Sequence, residues 1–374
     1  MVTPRVDVVG HFGSLLSYAT VASEICRALF GHGMLGEVTN LDEKWHLSHD
    51  WLRGRVGRGT HALIVSEPRH FFDAYVEMYG ADRVAVFASP NTDCMGREQT
   101  QFCAGVGRIF APSQWCARTV WRSASKHGRT IGDQVRVVPL GVSPAYLGTD
   151  DVHARRGTRT WVAGRLAPRK LLHVATDHAW PGRKGTEELI GAWAMVAHHP
   201  ALAGARLTIH APRGVYEHIH YLVAHHKVFE TVDIEFPQAT GSPDDELAKL
   251  YADHDLLVLP PRCEGYGMMI LAGLMNEIPL VTVRMTGQED FLGHFAGWTA
   301  VPVGLAYEPL AYEEGLAPVV DTDHLATTLV LAASGYGHLL TEASKNREEA
   351  KHWTWPAMHV RWVEAITEWT EETE

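Results

Sequence analysis

The sequence predicts an α/β protein of two domains, each built on a parallel sheet, and three observations carry that prediction. The chain has 374 residues, more than one α/β core of ordinary size fills and enough for two. Short β-type runs alternate with helical stretches in both halves, the rhythm of parallel βαβ units. Glycines and prolines gather where those runs end, above all at 260–267, and in such sheets ligands bind beyond the carboxyl ends of the strands.

In chain order, the first half offers strands at Arg5–Val9, His61–Ser66, Arg83–Ala88, Gly107–Pro112 and Val135–Pro139. Between the first two, Ser17–Phe30 sets Ala19, Ala22, Ile25, Cys26 and Leu29 on one side, the spacing of an amphipathic helix that ends at Gly31 and Gly33. Gly148–Arg159 is polar, rich in Gly, Asp, Thr and Arg, and reads as the linker between the halves. Trp161–Leu166 reads as a further strand without a clear place in the scheme. The second set follows with strands at Leu171–Ala175, Arg206–His210, Val232–Phe236, Asp255–Leu259 and Leu280–Val283, and helices over Gly185–Val196, Asp244–Tyr251 and Met268–Asn276. At the end, Trp355, Met358, Trp362, Val363 and Ile366 recur near helical spacing within His352–Trp369, which predicts a closing helix docked on a domain surface. The expected division is residues 1–150, 151–351 and 352–374.

Composition narrows the function classes. Apolar residues make up 46% and charged residues 21%, an ordinary globular balance, and runs such as Leu256–Leu259 fall far short of a membrane span. Met1–Val9 lacks the basic and apolar segments of a secretion signal, so the expected location is the cytoplasm. Five cysteines without a CxxC pair argue against a disulfide framework and a zinc knuckle. His218, His220, His225 and His226 lie close together but lack an acidic or Cys partner in sequence, so no metal site is expected. The net charge of −11 is uneven. Residues 1–150 hold 15 Lys and Arg against 14 Asp and Glu, and the remainder hold 18 against 30. Arg53, Arg55 and Arg58 cluster in the near-neutral half, a solvated loop or a lure for an anionic acceptor.

The most informative stretch runs from Asp255 through Pro260, Pro261, Glu264, Gly265, Tyr266, Gly267 and Met268 into an apolar helix. Two prolines stop the strand, two glycines admit close backbone approach, and the following helix turns its N–H groups and positive dipole end toward a ligand. A pyrophosphate fits such a turn, and Glu264 can accept hydrogen bonds from sugar hydroxyls. Asp253-His254-Asp255 imitates a metal-binding DxD motif, but Asp255 opens a strand at the end away from the site. Asp244 and Asp245 read as the acidic first turn of a helix.

This stretch resembles the retaining glycosyltransferases of family 4, whose GT-B fold consists of two Rossmann-like domains with parallel sheets facing across a cleft. Val137–Pro144 resembles that family's end of the N-terminal domain, Arg183–Trp193 its phosphate-binding loop and following helix, and Glu246–Pro260 the helix and strand before its sugar-binding Glu. Phe110–Trp115 and Trp353–Pro356 match family signposts more loosely. The resemblance implies that Glu264, Lys184 and Arg183 are catalytic, with the two cations neutralising the diphosphate as the glycosidic bond breaks. Gly265, Tyr266, Gly267 and Met268 would bind the donor, joined by Gly10 and Gly13 in a loop that approaches the phosphates. Arg165 and Arg169 compete for the cationic role, because Gly164-Arg165-Leu166 also resembles the family's Gly-Arg-Leu. The family places a second Glu, which grips the donor ribose, eight positions after the first, and here that position is Ala272. Acceptor-side acid or base candidates at strand ends are His11, Glu67 and Asp93.

The expected activity is metal-independent transfer of a hexose from a nucleotide diphosphate sugar, UDP- or GDP-linked, to a hydroxyl acceptor with retention at the anomeric carbon. No further cofactor is expected. The acceptor classes are a glycan, a lipid-linked sugar or a small molecule, with nucleic acid, such as a hydroxymethylated pyrimidine base in DNA, as the alternative. A non-catalytic nucleotide-sugar-binding protein that lost its ribose grip is the other alternative.

Overall fold

A computed structural model describes residues 4–12, 17–43, 59–162, 165–175, 181–236, 243–309 and 315–373. Gly13, Arg53, Arg55 and Arg58 lie outside the described residues. The chain divides into two compact units, one formed by Met1–Gly141, Glu313–Gly315 and Trp355–Glu374, the other by Val142–Tyr312 and Leu316–Thr354. No described helix is long and apolar enough to cross a membrane.

The first unit is a six-stranded parallel sheet of β1 (Val6–Gly10), β2 (Leu35–Asn40), β3 (His61–Val65), β4 (Val84–Phe87), β5 (Arg108–Ala111) and β6 (Val135–Val137). Its order is β2-β1-β3-β4-β5-β6. The chain leaves β1 toward one edge and then returns to its other side, so the order reverses between β1 and β3. The helix Ser17–Gly31 buries Ala19, Ala22, Ile25 and Leu29 and ends as a Schellman turn. Gly33 there takes φ 68°, its N–H donates to the Phe30 carbonyl, and the Met34 N–H donates to the Leu29 carbonyl. β2, which sequence reading missed, is an edge strand with a half-exposed polar composition that lacks the apolar alternation of its neighbours.

The closing helix spans Trp355–Glu372 and belongs to this first unit. Trp362 and Trp369 are fully buried against Phe110, and their indole N–H groups donate to the carbonyls of Pro139 at 3.1 Å and Asp82 at 2.9 Å. Each ring therefore buries a large apolar area without orphaning its polar handle.

The second unit repeats the design with β9 (Lys170–Val174), β10 (Arg206–His210), β11 (Val232–Glu235), β12 (Leu256–Leu259), β13 (Leu280–Val283) and β14 (Trp298–Val301) in the parallel order β11-β10-β9-β12-β13-β14. Here the reversal falls between β9 and β12. Two antiparallel hairpins complete the unit, β7 (Trp161–Val162) with β8 (Arg165–Leu166), and β15 (Val303–Pro309) with β16 (Leu316–Val320). The run Trp161–Leu166 is thus a small hairpin outside the main sheet.

Most of the stretch expected as a linker is a helix, Asp150–Arg159. Thr149 caps it by accepting from the Val152 N–H at 3.3 Å, and Asp150 and Asp151 suit its positive end. The inward residue is Arg156, fully buried, whose guanidinium donates to the carbonyls of Tyr251, His254 and Glu277 and to the Asn276 side chain. A helix anchored by an arginine has no apolar stripe, which is why composition alone suggested a loop.

Candidate active site

In the second unit the reversal between β9 and β12 leaves a crevice outside the carboxyl ends of those strands, the usual ligand position in an open α/β sheet. Two loops meet there. One carries Arg183 and Lys184 from β9 into the helix Thr186–Val196, and the other carries Cys263–Gly267 from β12 into the helix Met268–Met275. The join is tight: Gly185, at φ 71°, lies against the Pro260 carbonyl so closely that a Cβ would overlap it. The Arg262 N–H donates to the Arg183 carbonyl at 2.9 Å, and the Arg183 guanidinium donates to the Cys263 carbonyl at 3.2 Å.

These contacts bring three predicted residues together. Lys184 pairs with one carboxylate oxygen of Glu264, and Arg183 lies 3.3 Å from the other. Burial pushes the Glu264 carboxyl up, but Lys184 and Arg183 outweigh it and hold the group below the usual carboxylate range. Val174, Leu259, Pro261, Met269 and Ile270 wall the hollow beside them with apolar surface, a low-dielectric setting in which each charge acts strongly.

The backbone of Glu264 is fixed from behind. Its N–H donates to the Thr286 hydroxyl oxygen at 3.2 Å, its carbonyl accepts from the Gly287 N–H at 2.8 Å, and the Thr286 hydroxyl donates to Gln288 at 2.9 Å. Thr286 holds φ 59°, an uncommon conformation for a residue branched at Cβ, and a Cβ on Gly287 would overlap the Gly265 carbonyl. Gly267 turns at φ 95° to start the next helix with Met268, and the buried Tyr266 ring packs on Phe291.

His173 in β9, which sequence reading did not single out, fixes the cationic loop. Its Nδ1–H donates to the Val258 carbonyl at 2.8 Å, which leaves Nε2 to accept from the Thr186 hydroxyl at 2.9 Å. Burial lowers its pKa to about 4, opposed by the Val258 bond and reinforced by Lys184, so the ring is neutral near pH 7. A histidine inside an apolar strand two residues from its end was the available sequence signal.

Arg165 and Arg169 both precede β9. Arg165 lies in β8, ahead of β9, and its side chain is outside the description. Arg169 precedes β9 at the opposite end of the sheet from Lys184 and donates to the Ala203 carbonyl. Asp255 is fully buried there, accepting from Arg159 and from the N–H groups of Arg169 and Lys170 at 2.8 Å, a structural use of the DxD-like motif. Ala272 is fully buried.

In the first unit, the reversal between β1 and β3 gathers a second group. His11 follows β1, and its Nδ1 lies 2.7 Å from Asp42, which follows β2, while Nε2 faces the Ser66 hydroxyl after β3 at 3.4 Å. Asp42 escaped sequence reading because β2 did. Gly10 is required by packing, since a Cβ there would come within 2.9 Å of the Ala22 Cβ. Glu67 pairs with Arg69 and accepts from Gln99, and Asp93 lies 3.9 Å from Arg122.

Comparison with known proteins bears on the fold and the family resemblance. Residues 168–306 match the family model of the glycosyl transferases group 1. No curated protein sequence matches the chain. Among solved structures, WaaG, a glycosyltransferase involved in lipopolysaccharide biosynthesis, is similar with a TM-score of 0.68 at 13% identity, covering 97% of this chain and 99% of that one. HepE of Anabaena, solved in complex with UDP and glucose, gives 0.68 at 12% identity over 97% and 99% of the two chains. The sucrose-phosphate synthase of Thermosynechococcus elongatus gives 0.69 at 12% identity over 99% and 100%. The fold is the GT-B fold of these glycosyltransferases, and the resemblance to the glycosyl transferases group 1 read from the sequence stands.

Proposed function

We propose that this chain is a retaining glycosyltransferase that moves a sugar from a nucleotide diphosphate sugar, UDP- or GDP-linked, to a hydroxyl acceptor without a metal ion. The observation that carries the proposal is that Lys184 and Glu264 share one apolar-walled hollow at the strand reversal of the second unit, with Arg183 paired to the same carboxylate.

In this mechanism the diphosphate takes up the two cations, and Glu264, released toward the sugar, accepts from its hydroxyl groups. The bond from the anomeric carbon to the β-phosphate oxygen breaks, with its electron pair passing to that oxygen. Lys184 and Arg183 stabilise the growing negative charge from fixed positions, so little reorganisation is needed as the transition state forms. The acceptor oxygen bonds the anomeric carbon on the same face, and its proton passes to the departing phosphate. His11, oriented by Asp42, is the candidate of the first unit for holding the acceptor hydroxyl in this reading.

Lys184→Ala tests the proposal directly. With UDP- and GDP-linked hexoses as donors, the variant is expected to lose about 10²- to 10³-fold in turnover, read as release of free sugar or transfer to added acceptor. Its stability loss is expected to be smaller than the about 3–5 kcal/mol of a fully broken buried pair, because Arg183 remains beside Glu264. Turnover equal to that of the parent chain removes Lys184 from the mechanism, and a parent chain that consumes none of these donors overturns the function.

A further inference from the structure

The proposed function leaves the donor's nucleoside without the carboxylate that the resemblance assigns to its ribose, because position 272 is a buried alanine. We infer that His210, the last residue of β10, hydrogen-bonds the ribose hydroxyls of the donor nucleotide. This inference rests on the proposed function and assigns a residue that the sequence motifs did not.

Sheet order supplies the first support. β9 lies between β10 and β12, so the loop that carries Arg183 and Lys184 leaves the sheet between His210 on one side and the strand leading to Glu264 on the other. A nucleotide sugar has the same linear order: sugar, diphosphate, nucleoside. With the sugar at Glu264 and the diphosphate at Lys184, the nucleoside continues toward β10. Two strand spacings amount to about 10 Å, a distance that a diphosphate linkage bridges.

Register supplies the second. His210 pairs with Val174 across the parallel ladder, and side chains paired in register project from the same face of a sheet. Val174 lines the hollow that holds Lys184 and Glu264, so His210 stands beside that wall.

The third support is an unmet polar group. The ring nitrogens of the buried histidines His61, His173 and His254 are all bonded. Nδ1 of His210 is buried with no partner among the described residues, although the side chain is 95% out of solvent, at 5% exposure. Thr208, two residues earlier on the same face, is matched to His254 at 3.0 Å, so the orphan is peculiar to the ligand end of the strand. Burial lowers the pKa of His210, although the charge of Glu246 draws it the other way, and the ring is therefore neutral near pH 7. A neutral imidazole nitrogen can donate or accept according to tautomer, and a ribose hydroxyl satisfies either.

The test uses the full chain, its His210→Phe and His210→Asn variants, and UDP, GDP and their 2′- and 3′-deoxy counterparts, with affinities from calorimetric titration. The parent chain is expected to prefer the ribonucleotide over at least one deoxy form. His210→Phe is expected to bind the ribonucleotide roughly three- to tenfold more weakly and to bind ribo and deoxy forms alike. His210→Asn keeps a polar group there and guards against loss of fold in the first variant, and it is expected to retain part of the preference. An unchanged ribose preference in both variants overturns the role of His210 and leaves the proposed function standing. A parent chain that binds neither nucleotide overturns both.

Discussion

At Glu264, burial and neighbouring charge act in opposite directions, and the outcome sets how the site responds to acid. Its depressed carboxyl contributes stability above the ordinary carboxylate range, and that contribution is lost as pH falls through the lowered value. His173 responds in a higher window. Its folded pKa of about 4 lies below the ordinary imidazole value of 6.5, so the unfolded chain binds the proton more readily and stability declines as pH falls from about 6.5 toward 4. The decline from this one group is bounded at about 3 kcal/mol. Urea unfolding across that range should give a shallower pH slope in His173→Gln than in the parent chain, and equal slopes would show that the ring is not held neutral by the fold. The same pair illustrates what sequence reading could reach. Glu264 was visible because glycines and a following helix surround it, and Lys184 through the family resemblance, whereas His173 acts through partners that lie distant in the chain, Thr186 and Val258, and no local pattern announces them.

Among the elements, buried strands were legible to within a residue or two because both of their faces are apolar. Of the missed strands, β2 and β14 sit at sheet edges, where one flank lacks a neighbouring strand and polar residues are tolerated, and β15 and β16 pair with each other outside the main sheet. The helix Asp150–Arg159 was missed for a different reason, since its anchor is a buried cation satisfied by carbonyls and not an apolar face. The two candidate cation segments could be separated only by direction. Arg169 precedes β9 and Lys184 follows it, and a strand of five residues puts them at opposite ends. At this scale Gly185 is the hinge of the site, combining a left-handed backbone with contact against Pro260. Gly185→Ala should cost about 2 kcal/mol or more, from the backbone conformation plus the overlap, and should weaken nucleotide diphosphate binding in parallel. Denaturant midpoints and binding measured on the same variant check this, and a variant with both values unchanged would mean that the two loops are not locked together there.

For the whole molecule, the alternation of short strands and helices sufficed to predict two parallel sheets, because that rhythm admits few other arrangements. Contact partners across long sequence separations did not follow from it. The helix Trp355–Glu372 looked like a cover for some surface, and its tryptophans turn out to complete the core of the first unit, on residues near Pro139, Asp82 and Phe110. A chain ended after Thr354 should therefore lose protection of residues 4–141 in limited proteolysis while 142–354 resists longer. Equal resistance of both units would show that the first holds together without its tryptophans.

That arrangement also has a temporal side. A ribosome releases residues 4–141 first, yet the rings that fill their core emerge more than two hundred residues later, after the whole second unit has been made. The early half must wait, incompletely sealed, while the late half can mature on emergence, so a nascent chain is expected to complete its second unit before its first-made portion is finished.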